Sequence, residues 1–155
     1  MRIWGSNRSG RPREGAERVV KGDAWRELLP EADFVVSTLP LTRETRGMIG
    51  TDELKTLKPG AWLLNFGRGH LIKDDDLIAA VKAKTIAGAV LDVFRQEPLP
   101  AEHPFWKTDG ILVLPHIGGP HPQRDRFVAK LFVDNLGRFL DGAPLKEVVD
   151  RTAGY

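Results

Sequence analysis

At 155 residues, with 41% hydrophobic and 28% charged side chains, the chain has room for one domain with a real core and not for two. It contains no cysteine, which excludes a disulfide framework, a thiolate nucleophile and a cysteine-built metal site. A formal net charge of +2 is too small to argue for nucleic acid, and no apolar run approaches the roughly 18 residues of a membrane span.

Met1-Arg2-Ile3-Trp4 lacks a signal-peptide core, so the cytoplasm is the expected compartment, with neither nucleic acid nor membrane as partner. The opening segment is locally basic. Arg2, Arg8, Arg11, Arg13, Arg18, Lys21 and Arg26 face only Glu14, Glu17 and Asp23. A solvated loop accounts for that imbalance, and so does a local phosphate site.

Met1–Trp4 reads as a strand. Phe34-Val35-Val36 is the next apolar run, followed by a helix over Thr51–Leu57 that opens with a Thr cap and two acidic residues. Ala61–Leu64 follows the Pro59-Gly60 turn. A helix over Asp74–Lys84 places three aspartates at its start and Lys82 and Lys84 at its end, complementing the helix dipole. Ile86–Leu91 and Ile111–Leu114 are two further strands, apolar on both faces as in a parallel sheet covered on both sides. Gln123–Leu140 is a long helix with an apolar stripe of Phe127, Leu131, Phe132, Leu136, Phe139 and Leu140, stopped by Gly142 and Pro144. Val148-Val149 reads as a short last strand.

Alternating strands and helices give an α/β fold with a doubly wound parallel sheet of Rossmann type. In that fold the first strand runs into a Gly-x-Gly-x-x-Gly turn that receives the pyrophosphate. The chain holds no such turn; Gly67-Arg68-Gly69-His70-Leu71-Ile72 fails at the third glycine. The expected architecture is therefore incomplete, lacking the first strand and glycine loop and ending in a long C-terminal helix. Residues 1–120 are read as the partial NAD(P)-binding domain. Residues 121–155 are read as a helix and tail that return to an absent substrate domain. A stripe without that domain expects a homodimer or a complementing chain.

Three strand ends carry the chemistry: Asn65-Phe66-Gly67-Arg68-Gly69, Asp92-Val93-Phe94-Arg95-Gln96-Glu97-Pro98 and Pro115-His116-Ile117-Gly118-Gly119. An ionisable residue just beyond a buried strand is costly unless it is paired or used. Reducing a 2-keto acid needs a fork for the substrate carboxylate, a proton donor and a group that orients the donor. Arg68 supplies the planar fork, His116 the acid and base, and Glu97 the carboxylate that favours and orients the imidazolium.

Asn65-x-Gly67-Arg68-Gly69, Leu91-Asp92-Val93-Phe94-x-x-Glu97-Pro98 and Pro115-His116-Ile117-Gly118 resemble the three signature segments of the D-isomer-specific 2-hydroxyacid dehydrogenases. Leu39-Pro40-Leu41-Thr42-x-x-Thr45 is similar to the segment that precedes them. Arg68-Gly69-His70, Asp74-Asp75-Asp76-Leu77, Glu97-Pro98-Leu99-Pro100 and His103-Pro104-Phe105-Trp106 look most like the glyoxylate/hydroxypyruvate reductase branch. The resemblance covers nearly the whole chain.

It implies an oxidoreductase, or a piece of one, moving a hydride between NAD(P)H and a small 2-keto acid or D-2-hydroxy acid. Arg68 then binds substrate, Glu97 supports His116, and His116 transfers the proton. Asp92 holds the nicotinamide carboxamide, Gly118 and Gly119 lie near the nicotinamide, and Gly67 belongs to the cofactor wall. Thr38, Leu39 and Pro40 border the adenosine half, and Asn7, Arg8 and Ser9 face its ribose. No acidic residue precedes Glu14, so Asn7, Arg8 and Ser9 suit a 2′-phosphate, which favours NADP over NAD. The alternative is a non-catalytic dinucleotide-binding or interaction module derived from the family.

His70 is read as a solvated loop residue beside the site, His103 and His121 as structural or exposed. No His pair has helical metal-site spacing, and no metal is expected. Trp106 is expected to pack against the strand that follows it.

Overall fold

A computed structural model describes residues 1–152. Strands β3 (Phe34–Ser37), β4 (Trp62–Asn65), β5 (Gly88–Leu91) and β6 (Ile111–Val113) form one parallel sheet in chain order. Parallel neighbours need a crossover. Helix α1 (Thr51–Thr56) lies between β3 and β4, α2 (Asp74–Lys82) between β4 and β5, and a 3₁₀ turn at Pro104–Lys107 between β5 and β6. Strands β1 (Trp4–Asn7) and β2 (Arg18–Lys21) form a separate parallel pair, with register Trp4 to Arg18. A 3₁₀ segment, Gly22–Glu31, leads from β2 toward β3.

The register assigns each side chain of the larger sheet to a face. On one face Leu63, Asn65, Ala89 and Leu91 are each 2% exposed or less, in one core with Leu54 of α1 and Leu77 and Val81 of α2. The other face carries Phe34 and Trp62 in one row, and Val36, Leu64, Val90 and Leu112 in the next. Phe34, Val36 and Leu112 are more than half exposed. The apolar strand runs suggest cover on both faces; among the described residues only the α1–α2 side has it. The long helix does not supply the second layer. Helix α3 (Arg124–Leu140) buries none of its residues, and its polar side is the one tied down. Asn135 exchanges hydrogen bonds with the backbone of Lys146 at 2.8 and 3.1 Å, and Arg138 donates to the Pro144 carbonyl at 3.1 Å.

Other boundaries also move. The first strand lies at Trp4–Asn7 rather than Met1–Trp4, because it is placed by pairing with Arg18-Val19-Val20-Lys21. That partner is too short and too charged at its ends to read as a strand. Thr51 is inside α1, not its cap. Gly50 precedes the helix and donates to Glu53 Oε2 at 3.1 Å, while Thr51 donates its N–H to Asp76 at 2.9 Å. Val148 and Val149 are exposed and form no strand. The last three residues of the expected tail, 153–155, lie outside the described residues.

Candidate active site

Parallel strands end together, so the ends of β4, β5 and β6 bring their loops to one rim. At the end of β4, Asn65 is 1% exposed and bridges its own turn. It accepts from Gly67 N–H at 3.1 Å and donates to the Arg68 carbonyl at 3.0 Å. This Asx-type turn presents Arg68 outward. Arg68 Nη1 donates to the Gly67 carbonyl at 2.7 Å, and its other N–H groups have no partner among the described residues.

Two glycines in the turn are required by proximity. A Cβ on Gly67 would stand 2.6 Å from the Leu39 carbonyl oxygen, and one on Gly69 would stand 2.0 Å from the Phe94 carbonyl carbon. The bare backbone lets the Leu39 loop and the loop after β5 close on the Arg68 turn.

At the end of β6, His116 adopts φ +54°, a left-handed conformation that His tolerates better than most residues. Its Nδ1 lies 2.7 Å from Glu97 Oε2. The other Glu97 oxygen accepts from Phe94 N–H at 2.9 Å. The Glu97-Pro98 peptide is cis. Burial pushes the Glu97 carboxyl up. The Phe94 amide, the His116 hydrogen bond and the nearby charges of His116 and Arg68 outweigh it and hold Glu97 below the usual carboxylate range. Glu97 is therefore an anion aimed at the imidazole. Nδ1 is then the donor, and Nε2 has no hydrogen-bond partner among the described residues.

Asp92 holds this loop in place. It is 1% exposed, and its oxygens accept from Ile117 N–H and Gly118 N–H, each at 2.8 Å. Each Asp92 oxygen accepts one N–H here and keeps a second lone pair, on a side chain almost without exposure. These two bonds tie Asp92 to the His116 loop. A Cβ on Gly118 would stand 2.7 Å from the Phe66 ring and 2.8 Å from Asp92, whereas Gly119 opens onto free space.

The residues expected at the adenosine half end β1 and β3. Asn7 Oδ1 accepts from Ser9 N–H and Ser9 Oγ, both at 3.1 Å, and Asn7 Nδ2 donates to the Arg11 carbonyl at 2.9 Å. Asn7 and Ser9 thus build a tight turn with Arg8 at its tip. Thr38 and Leu39 lie across a groove from Gly5 and Ser6. Pro40 accepts from Thr45 Oγ1 at 2.7 Å, and Thr42 and Thr45 exchange side-chain and backbone hydrogen bonds that hold this loop.

Sequence reasoning did not single out Asn65 as a positioning residue, nor a cluster behind the site. Asp74 lies 3.3 Å from Arg95 and 3.9 Å from His103, and Arg95 also donates to the Ile72 carbonyl. An Asn at a strand end before glycine is the signal for the first; nothing in the spacing announces the second. His103 accepts from Phe105 N–H at 3.3 Å and His121 from Gln123 N–H at 3.2 Å, so both shape loops. Trp106 is anchored within its own loop. Its indole N–H is held by the Pro100 carbonyl at 2.9 Å, and the residue is half exposed. Among the described residues no His, Asp and Glu cluster has the shape of a metal site.

Residues 1–118 match the D-isomer specific 2-hydroxyacid dehydrogenase, NAD binding domain. The chain belongs to that family. A protein from Corynebacterium melassecola described as an uncharacterized protein in the proB 3′ region is 40% identical over 149 residues, covering 96% of this chain and 49% of its own length. Glyoxylate/hydroxypyruvate reductase B of Enterobacter agglomerans is 44% identical over 123 residues, covering 79% and 38% respectively. A D-isomer specific 2-hydroxyacid dehydrogenase from Xanthobacter autotrophicus, solved with NADPH and MES, superposes with a TM-score of 0.89 at 37% identity, covering 98% of this chain and 62% of that one. An NADPH-dependent glyoxylate/hydroxypyruvate reductase from Sinorhizobium meliloti, solved with NADP and sulfate, gives a TM-score of 0.88 at 33% identity, covering 99% and 49%. The chain spans about half the length of the curated relatives it matches.

Proposed function

We propose that this protein carries the catalytic corner of an NAD(P)-dependent reductase of small 2-keto acids, with glyoxylate and hydroxypyruvate as the substrate class. The observation that supports this most is the His116–Glu97 pair at 2.7 Å beside an outward-facing Arg68. Bound NAD(P)H supplies the hydride. Arg68 forks the substrate carboxylate and polarises the keto group. His116 Nε2 delivers the proton to the keto oxygen, and Glu97 steadies the imidazolium before that transfer. Asn65, Gly69 and Asp92 act through the other three by fixing their loops.

The donor set suits the nicotinamide end of a dinucleotide, where the bare backbone of Gly118 and Gly119 follows His116 and Gly67 borders Leu39. The adenosine end is assigned to Thr38, Leu39 and Pro40 and to the Asn7-Arg8-Ser9 turn. Arg8 there favours a 2′-phosphate, hence NADP, as in the two structural relatives solved with that cofactor. Residues 1–120 form the cofactor-domain portion in this reading, the later helix and tail face further protein, and the cytoplasm is the place of action. No helix among the described residues is long and apolar enough to cross a membrane.

A second reading is a dinucleotide-binding or interaction module without turnover, since the family match is to the NAD binding domain. The deciding experiment follows NADPH and NADH consumption with glyoxylate and with hydroxypyruvate, beside cofactor binding by fluorescence. Turnover that falls about 100-fold to 10,000-fold in His116→Gln supports the reductase. NADPH binding without turnover in either protein supports the module, and neither binding nor turnover removes both.

A further inference from the structure

Residues 95–98 carry Glu97 and are exposed, and among the described residues none of their backbone groups bonds to backbone. Phe94, just before them, is buried in the core. An exposed stretch without a backbone ladder takes its shape from its side chains. Two side chains hold this one. Glu97 accepts from Phe94 N–H and faces His116, while Arg95 reaches in another direction. Arg95 Nη2 donates to the Ile72 carbonyl at 2.6 Å, and its Nε lies 3.3 Å from Asp74 Oδ1.

The far end of this clamp is fixed. Ile72 is 2% exposed, pairs with Ile49 in a parallel bridge and donates its N–H to the Gly69 carbonyl. It therefore closes the turn that Arg68 opens. Asp74 begins α2, and its other oxygen faces His103 Nε2 at 3.9 Å, too far for a hydrogen bond but close enough for charge to act. His103 Nδ1 accepts from Phe105 N–H, which leaves the ring proton on Nε2, toward Asp74. The His103 ring packs on Phe105 and the Phe105 ring on Phe94, so the cluster returns to the residue whose amide holds Glu97.

A half-exposed ion pair adds little to stability. Its geometry is more specific, because a planar guanidinium serves a carbonyl and a carboxylate at once, which an ammonium does not do in one fixed plane. We propose that Arg95 is a positioning residue for the acid–base pair. By tying the Glu97 stretch to the end of the Arg68 turn, it keeps the Glu97 carboxylate on His116 Nδ1 and sets the spacing between that pair and the Arg68 fork. The spacing half rests on the reductase reading. The aim of Glu97 is a property of this chain and is tested without cofactor or substrate.

The test reads the His116 ring by nitrogen NMR in the full chain with labelled histidine, its signals identified by their loss in His116→Gln. At about pH 9 an imidazole is neutral. A ring held by Glu97 then carries its proton on Nδ1, and a released ring prefers Nε2. The expected ring has its proton mainly on Nδ1, moving mainly to Nε2 in Arg95→Met. Arg95→Lys, which keeps the charge near Asp74 without the fork, should fall between. Asp74→Ala, which spares the Ile72 bond, should shift the ring less and in the same direction, and it decides the matter if Arg95→Met does not fold. The control is Arg26→Met, which breaks an ion pair of matching exposure (43% and 16%, against 42% and 20%) and should leave the ring unchanged.

An unchanged ring in Arg95→Met and Asp74→Ala overturns the proposal. So does a parent ring without its proton on Nδ1, or an equal shift in Arg26→Met, which marks a general loosening. In turnover of NADPH with glyoxylate, kcat should fall about 10-fold to 100-fold in Arg95→Met while KM stays within about threefold. An unchanged kcat overturns the spacing half, whereas a parent chain without turnover counts against the reductase reading and leaves the ring measurement to decide the aim of Glu97.

Discussion

The rim around His116 and the surface around α3 are held in opposite ways. At the rim, loops are locked by backbone contact: Gly69 against Phe94, Gly67 against Leu39, and Asp92 gripping two successive amides. Around α3, Phe127, Phe132, Phe139 and Leu140 are exposed, and the helix is tied to the tail through its polar side. The proposed chemistry therefore sits where the chain supplies its own constraints, and the apolar excess sits where it does not. This contrast separates the loops the chain fixes by its own backbone contacts from a surface it leaves exposed.

The contrast breaks most sharply at Gly69. Gly69→Ala forces a methyl to within 2.0 Å of the Phe94 carbonyl carbon, a backbone atom that cannot step aside. We expect a loss of about 3 kcal/mol or more in urea unfolding, as for severe overpacking. An unchanged midpoint would show that the Arg68 turn is held far more loosely than its geometry states. Asp92→Asn comes next. The new amide keeps one acceptor but turns a donor toward an N–H of Ile117 or Gly118, so about 2–3 kcal/mol is expected. The His116 loop should loosen with it, visible as faster amide exchange at 116–118.

Much of this rim is legible before any coordinates. Each long apolar run became a strand within a few residues, because a buried parallel strand leaves little room for another pattern. Arg68, Glu97 and His116 stand out because charge directly after a buried strand is expensive without a use. The sequence is silent where the cause is tertiary. Strand β2 exists because β1 accepts it, and the two amides that Asp92 holds lie 25 and 26 residues away, beyond any local pattern. The uncovered sheet face is equally invisible: Val36 and Val35 have the same apolarity, and only the packing makes one exposed and the other half-buried.

Acid titration sharpens the comparison within the rim, because Glu97 and Asp74 shift in opposite directions. Glu97 is held down, so its contribution is present above the unfolded carboxyl value of about 4.3 and is lost as pH falls through its lower folded value. Burial pushes Asp74 up, and Arg95 and His103 offset this only in part. The folded state then binds the Asp74 proton more tightly than the unfolded state, so stability falls as pH rises from about 3.9 through the higher folded value. Urea midpoints measured between about pH 3 and 6 should show Glu97→Gln removing a rise and Asp74→Asn removing a fall. The same sign of change in both variants would mean that one of these environments is misassigned.

The smallest effect belongs to α3. Replacing Phe132 and Phe139 with Ser removes two rings that touch solvent over most of their surface, so the unfolding midpoint should move by less than about 0.5 kcal/mol. Core phenylalanines cost several times more, and Phe105, at 4% exposed, is the internal standard. Sedimentation of the same variant asks the complementary question. If the stripe is an open surface, the double substitution lowers self-association while leaving stability untouched. A loss of stability comparable with Phe105→Ala would mean instead that α3 packs on the chain in solution. The natural place for it would then be the uncovered face around Val36 and Leu112.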